Sequence, residues 1–213
     1  MKTLADYNFD GEKALFDIIK NSNYKTIENA IASLTVFTNP RIVAQTKNKA
    51  IFRIRRAKSG EKRGSIIWDE NVVVDDNTSP TTTFLLANKI PKSKTKNVQF
   101  NHIYPIPKPQ NVTYYTSLAN ICMTPTFLAK LTDSNKNVIQ LLRYRAFELY
   151  KGFVPAGFDV PIKPEGYENL KWAPSPEGIE DVYDCFCKKI ERCPQSAIAK
   201  SVKAFGFGCG WSM

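Results

Sequence analysis

Thirteen prolines punctuate this chain, and their clustering limits how long any helix or strand can run. Proline removes a backbone donor and clashes with the preceding helical turn, so elements end at it or begin just before it. Pro105, Pro107 and Pro109 interrupt the otherwise strand-like VQFNHIYPIP. Five more lie between Phe153 and Pro176, a stretch with little periodicity that predicts an extended arm. Short strands in the middle and helices towards both ends are what remain possible.

The periodicity fills in that frame. In GEKALFDIIK (11–20), Leu15, Ile18 and Ile19 share one helical face. Thr26 reads as the cap of a second helix running to about Phe37, which Asn39-Pro40 would close. IFRIRR (51–56) alternates, placing Phe52 and Ile54 inward and Arg53 and Arg55 on a basic outer face. KSGEKRG is the turn and SIIW (65–68) the returning strand of a hairpin. NVVVDD is a further strand, Thr82–Asn88 a short helix, and Lys89–Lys96 a basic loop. LANICM makes another strand, with Thr124-Pro125 starting a helix over 125–132. The clearest helix runs from Asn135 or Lys136 to Lys151, with Val138, Leu141, Leu142, Ala146 and Leu149 at helical spacing and Gly152 ending it. The tail from Glu177 to about Lys203 is helical again, and FGFGCGWSM either frays or tucks onto the body.

The expectation is an α+β fold: N-terminal helices, a small central antiparallel sheet, and C-terminal helices. Residues 1–152 form a basic core, and residues 153–213 a Pro-rich arm with a helical segment. No apolar run approaches the ~20 residues a membrane helix needs, and Met1–Asp10 lacks a signal peptide's apolar centre, which predicts a cytoplasmic protein.

Charge narrows the partner. The net charge is +10, and it is unevenly placed. Arg41–Arg63 holds nine basic residues and one acid, Glu61. No Asp or Glu occurs from Asn77 to Thr132, while Lys89, Lys92, Lys94, Lys96, Lys108 and Lys130 fall there; the acids gather after Asp159. A lysine-rich composition would explain the total but not so long an acid-free stretch. Attraction to nucleic-acid phosphates explains both.

Five cysteines, Cys122, Cys185, Cys187, Cys193 and Cys209, give no disulfide framework and no paired C-x2-C spacing, so zinc is disfavoured. Nucleotide-binding loops and Ser/His/Asp arrangements are absent from the sequence as well, which turns attention to the single histidine.

His102 sits in FNHIYP, after Asn101 and downstream of the lysine loop; Asn120 follows in LANICMTPTFLAKL, a strand leading into a helix. Histidine on a strand, a loop, a strand and a helix resembles the HNH, or His-Me finger, nucleases over residues 98–133. The resemblance implies a ββα finger that cuts DNA with Mg²⁺ or Mn²⁺. It makes His102 the general base and Asn120 the residue that orients it through a hydrogen bond, and puts Asn101 at a metal-ligand position. Lys92, Lys94 and Lys96, with Arg53 and Arg55, would hold the phosphate backbone.

The chain departs from that pattern in one important place. The family's last ligand falls at about Ala129, which has no donor atom, and the carboxylates that flank the region are Asp75, Asp76 and Asp133. Asp76 or Asp133 would have to fold back to complete the site. Blander roles stand beside these: His102 as a hydrogen-bonded structural residue, Asp75-Asp76-Asn77 as a turn, Tyr114-Tyr115 as a core cap, and Arg143 and Arg145 as solvated helix residues. The sequence therefore leaves three functions open: a metal-dependent endonuclease, a non-catalytic DNA-binding protein on a degenerate finger, and an interaction protein unrelated to nucleic acid.

Overall fold

A computed structural model describes residues 2–106 and 112–211; Pro107, Lys108 and Pro109 lie outside the described residues. The architecture is α+β, with helices at both ends and two small three-stranded sheets between them.

Helices α1 (Gly11–Lys20) and α2 (Ile27–Leu34) open the chain, each with a side-chain cap. Asp10 accepts from the N–H groups of Glu12 and Lys13, and Thr26 from Asn29, which satisfies donors a helix start leaves free. The second helix ends at Leu34, because residues 36–37 leave it as strand β1 (Val36–Phe37). Asn39-Pro40 then starts a helix rather than closing one. Asn39 caps α3 (Pro40–Gln45) and Pro40 takes the first-turn position, where its missing N–H costs nothing.

The first sheet is antiparallel throughout, with β6 (Ile121–Pro125) between β1 and β5 (Val98–His102). Strand β5 pairs along its length with β6, and His102 stands opposite Ile121. The second sheet is made of β2 (Ile54–Arg56), β4 (Val72–Asp75) and β3 (Ile66–Ile67), in the order β2-β4-β3. The hairpin expected between β2 and β3 does not form. The VVVD strand inserts between them, parallel to β2 and antiparallel to β3. Its three valines are all buried, so it takes the central position, where both edges and both faces are covered.

Helix α4 (Thr78–Ala87) starts earlier than the sequence suggests, after Asn77. A short helix α5 (Val112–Tyr115) lies between β5 and β6, and the latter runs into α6 (Thr126–Ala129) and α7 (Leu131–Ser134). Lys130, between those two, keeps helical dihedrals (φ −63°, ψ −33°), so Ala129 and Asp133 fall on one face, four residues apart. Helix α8 (Lys136–Leu149) follows, capped by Asn135, with Val138, Leu141, Leu142 and Ala146 buried as the periodicity predicts. Each of the larger side chains contributes roughly 1.5–3 kcal/mol of burial free energy.

The arm beyond residue 152 contains one 3-10 turn and no longer element before α9 (Val182–Arg192) and α10 (Ala197–Phe205). It docks by close approach. Gly178, at φ +68°, lies where a Cβ would collide with Ile42 and the Ala87 carbonyl. Tyr167, Val182, Phe186, Ile198 and Phe207 join the same hydrophobic cluster as Ile31, Phe52 and Leu142. The glycine-rich end tucks onto the body: Gly208 N–H donates to Ile51 O at 2.8 Å and Trp211 Nε1–H to Gln45 O at 3.2 Å. No helix among the described residues is long and apolar enough to cross a membrane.

The structure overturns the basic outer face assigned to β2. Arg53 is exposed, but Arg55 is only 1% exposed and all five of its N–H donors are used. It makes a bidentate pair with Glu61 (2.7 and 2.7 Å), two contacts with Glu70 (2.6 and 3.0 Å), and one with the Arg56 carbonyl (3.1 Å). A guanidinium enclosed this way has no donor left for phosphate. The alternation misleads because Glu61 and Glu70 lie on the segment that returns to cover this strand.

Candidate functional site

The β5–β6–α6 succession supplies the order of elements expected over 98–133. What holds it in shape is Asn120, fully buried immediately before β6. Its Oδ1 accepts from Tyr104 N–H at 2.8 Å and its Nδ2 donates to Tyr104 O at 3.1 Å. One amide thus takes both backbone groups of Tyr104 and ends the ladder two residues after His102. This corrects the expected role of Asn120: it clamps the backbone beyond the histidine and does not touch the ring.

The ring of His102 is held from another direction. Its Nε2 lies 2.9 Å from the Tyr115 carbonyl, and the two aromatic rings stack at 5.3 Å with 25° between planes. A carbonyl can only accept, so Nε2 carries the proton and Nδ1 keeps the lone pair. Burial pushes the imidazole pKa down, against the upward pull of the Tyr115 carbonyl and Asp133; Arg56 adds to the depression. The neutral ring is therefore favoured near pH 7. Tyr115 itself is buried and donates its hydroxyl to the Asp76 carbonyl at 2.9 Å, so it supports the histidine and is not a stacking platform for bases.

His102 lines a cavity of about 550 Å³, shared with Arg56, Asn77, Asn101, Asp133 and Arg143. Asp133 is the one carboxylate among the described residues that line it. Of the acids flanking the acid-free stretch, it is the one that folds back to the histidine. Ala129, one turn earlier on the same helical face, is buried in the core.

Asp76 does not join this site. Its carboxylate pairs with Arg63 at 2.5 Å and accepts from Thr78 N–H at 2.7 Å, and it lines two neighbouring cavities instead. Those bonds hold its pKa below the usual carboxylate value. Asp75 is spent as well, accepting from the Ser79 hydroxyl. The turn reading of Asp75-Asp76-Asn77 is the one the geometry supports. Asn101 is at the cavity wall, but its amide nitrogen donates to Thr124 Oγ1 at 2.8 Å, tying β5 to β6.

For a divalent ion the donor set is sparse. No three His, Cys, Asp or Glu side chains converge among the described residues. Magnesium and manganese sites on phosphate substrates often use one or two carboxylates, with water and phosphate oxygens completing the shell. Asp133 fits that minimal role; Asp76 does not.

Outside the cavity lining, the cations of the central segments divide into committed and free. Arg63 is paired with Asp76 and Arg55 with its glutamates. Arg53, Lys92, Lys94 and Lys96 are exposed and have no ion pair among the described residues. Asn77 lines both the His102 cavity and a smaller one of about 290 Å³ bordered by Lys92, so the lysine turn adjoins the histidine site.

Two arginines of this site escape a reading of the sequence. Arg56 is one of many basic residues in its segment, with nothing to single it out. Arg143 has the spacing of a solvated helix residue, yet its guanidinium lies over the rings of Tyr104 (5.0 Å) and Phe158 (5.4 Å), and Arg145 likewise covers Trp172 at 4.9 Å. No local signal marks either contact, because Phe158 and Trp172 belong to the arm. No protein-family model, curated protein or solved structure matches this chain.

Proposed function

We propose that this protein binds nucleic acid, most naturally DNA, and hydrolyses a phosphodiester bond at the His102 cavity. The observation that carries this reading is that His102, at the end of the first strand, and Asp133, on the helix after the second, line one polar cavity that also holds arginine side chains. Phosphate attraction would come from Arg53, Lys92, Lys94 and Lys96, whose charges are not neutralised by an ion pair among the described residues.

In this reading His102 Nδ1 takes a proton from a water molecule as the water oxygen bonds to phosphorus and the bond to the leaving oxygen breaks. The backbone carbonyl of Tyr115 keeps the ring in the tautomer that can accept that proton. Asn120 and Tyr115 are positioning residues, acting through the loop and the ring. Asp133 would hold Mg²⁺ or Mn²⁺, which when bound supplies positive charge to the leaving oxygen. Five free cysteines suit a reducing compartment, and we assign the activity to the cytoplasm.

A second reading has its own observation. Ala129 stands where the resembled family keeps its last ligand, and it is buried in the core. A finger kept only as a scaffold would bind DNA without cutting it.

The deciding experiment is plasmid cleavage with Mg²⁺ or Mn²⁺, run beside a DNA-binding titration, for the unmodified protein, His102→Ala and Asp133→Asn. The catalytic reading requires cleavage that both folded variants lose while binding persists. Binding without cleavage supports the scaffold, and absence of both removes nucleic acid from the assignment.

A further inference from the structure

Two arginines in this molecule are held in opposite ways. Arg55 is enclosed and every donor it has is taken. Arg143 is held by aromatic rings instead: its guanidinium carbon lies 5.0 Å from the Tyr104 centroid and 5.4 Å from that of Phe158, and the two rings, 5.1 Å apart and edge-to-face, use none of its N–H donors. It has no hydrogen bond or ion pair among the described residues, and its Nε is buried without an acceptor. That Nε is enclosed, but the two terminal nitrogens are not buried and have no partner among the described residues, so the arginine lines the cavity with donors free for a ligand.

We propose that Arg143, together with Arg56, forms an oxyanion clamp in the His102 cavity, and that its ligand is a phosphate group carried on a nucleoside-sized unit. The planar guanidinium presents paired donors that match two oxygens of a phosphate, and its cation–π contacts with Tyr104 and Phe158 hold it in place before the ligand arrives. Arg56 lines the same cavity, exposed and with no carboxylate partner of its own among the described residues. Asp133 is the opposing negative group, which favours a ligand that presents phosphate towards the arginines and not towards α7. The volume of about 550 Å³ falls within the range of small-molecule sites and well exceeds what a bare phosphate fills. The clamp deepens the phosphodiesterase reading where the phosphate belongs to a polymer, but the anion site itself stands independently of it.

The test is calorimetric titration of the full chain with a nucleoside 5′-monophosphate and with the same nucleoside unphosphorylated. Arg143→Met and Arg56→Ala should each weaken monophosphate binding by roughly tenfold or more, as expected when a charge-assisted hydrogen bond is removed. Arg143→Lys, which keeps the charge and loses the fork, should retain part of the affinity. Circular dichroism establishes that the variants are folded. Should Arg143→Met unfold, Arg56→Ala carries the test, since its exposed side chain makes no bond to lose among the described residues. Equal binding of nucleoside and monophosphate, no binding of either, or unmodified affinity in the folded Arg143→Met and Arg56→Ala variants overturns the clamp. Monophosphate binding that depends on Arg143, in a protein that neither binds nor cuts DNA, keeps the clamp and removes the nuclease. DNA cleavage and monophosphate binding that are both unaffected in folded Arg143→Met do the reverse.

Discussion

His102 and Tyr115 are joined twice, by a 2.9 Å hydrogen bond from imidazole Nε2 to the tyrosine carbonyl and by stacking of the two rings. The first contact assigns the proton and the second removes water from one face of the imidazole. Burial makes this histidine resist protonation, against the upward pull of the Tyr115 carbonyl, and the hydrogen bond leaves Nδ1 as the basic nitrogen.

A pH dependence follows from that burial. The folded pKa of His102 lies below its unfolded value of about 6.5, so the unfolded chain binds the proton first as pH falls. The stability associated with the neutral ring is complete above about pH 6.5 and is lost progressively below it, down to the folded pKa. Thermal melts between about pH 7.5 and 5.0, which bracket the unfolded value, should show a steeper loss for the unmodified protein than for His102→Gln. A cleavage activity using this base should also persist below about pH 6.5 in short assays.

Asn120→Ala tests the backbone clamp. It strips Tyr104 N–H and C=O of their partners within the core, and each buried orphan costs about 1–3 kcal/mol. Urea denaturation should show a loss of about 2–4 kcal/mol.

Arg55→Met separates structural from phosphate-binding arginine. Removing one partner of a buried ion pair typically costs about 3–5 kcal/mol, and the partial exposure of Glu61 and Glu70 should bring the loss below that range. In the folded variant, DNA affinity should be unchanged. The Glu61 carboxyl, held at about 2 by its Arg55 hydrogen bonds and the Lys58 N–H, adds a signature. Its stabilisation is present above its ordinary value of 4.5 and is lost as pH falls from there towards 2, and that acid slope should flatten in Arg55→Met.

The lysine turn is tested by salt. If Lys92, Lys94 and Lys96 each neutralise a phosphate, the triple alanine variant should lower the slope of log K against log salt by about 0.9 for each phosphate no longer neutralised. Thermal stability should barely move, because the three side chains are exposed and unpaired among the described residues.

Much of the fold is legible in the sequence because it depends on close neighbours along the chain. The cap at Thr26, the apolar spacing of α8, the strand of valines and the extended arm all follow from local chemistry. The misreadings share one cause. Pairing β4 between β2 and β3, rather than closing the nearer hairpin, is decided by which strand is apolar on both faces. Asn39-Pro40 suits the end of one helix and the start of the next, and packing chose the latter.

The candidate site divides the same way. The resemblance, carried by residue types and their order, points to His102, Asn120 and Asn101 within one strand–loop–strand–helix stretch, and leaves Asp76 and Asp133 as alternative flanking carboxylates. Sequence does not separate Asp133 from Asp76, because the choice depends on Arg63 and Thr78 capturing the latter. Nor does it separate Arg55 from Arg143. Both are single cations beside apolar residues, and only packing encloses one with Glu61 and Glu70 and lays Tyr104 and Phe158 against the other. What the sequence determined by itself is the set of elements and the chemistry each carries. Which charges are spent inside the fold and which remain available was decided by the tertiary structure, because a charge is neutralised by what lies within a few ångströms of it and not by what precedes it in the chain.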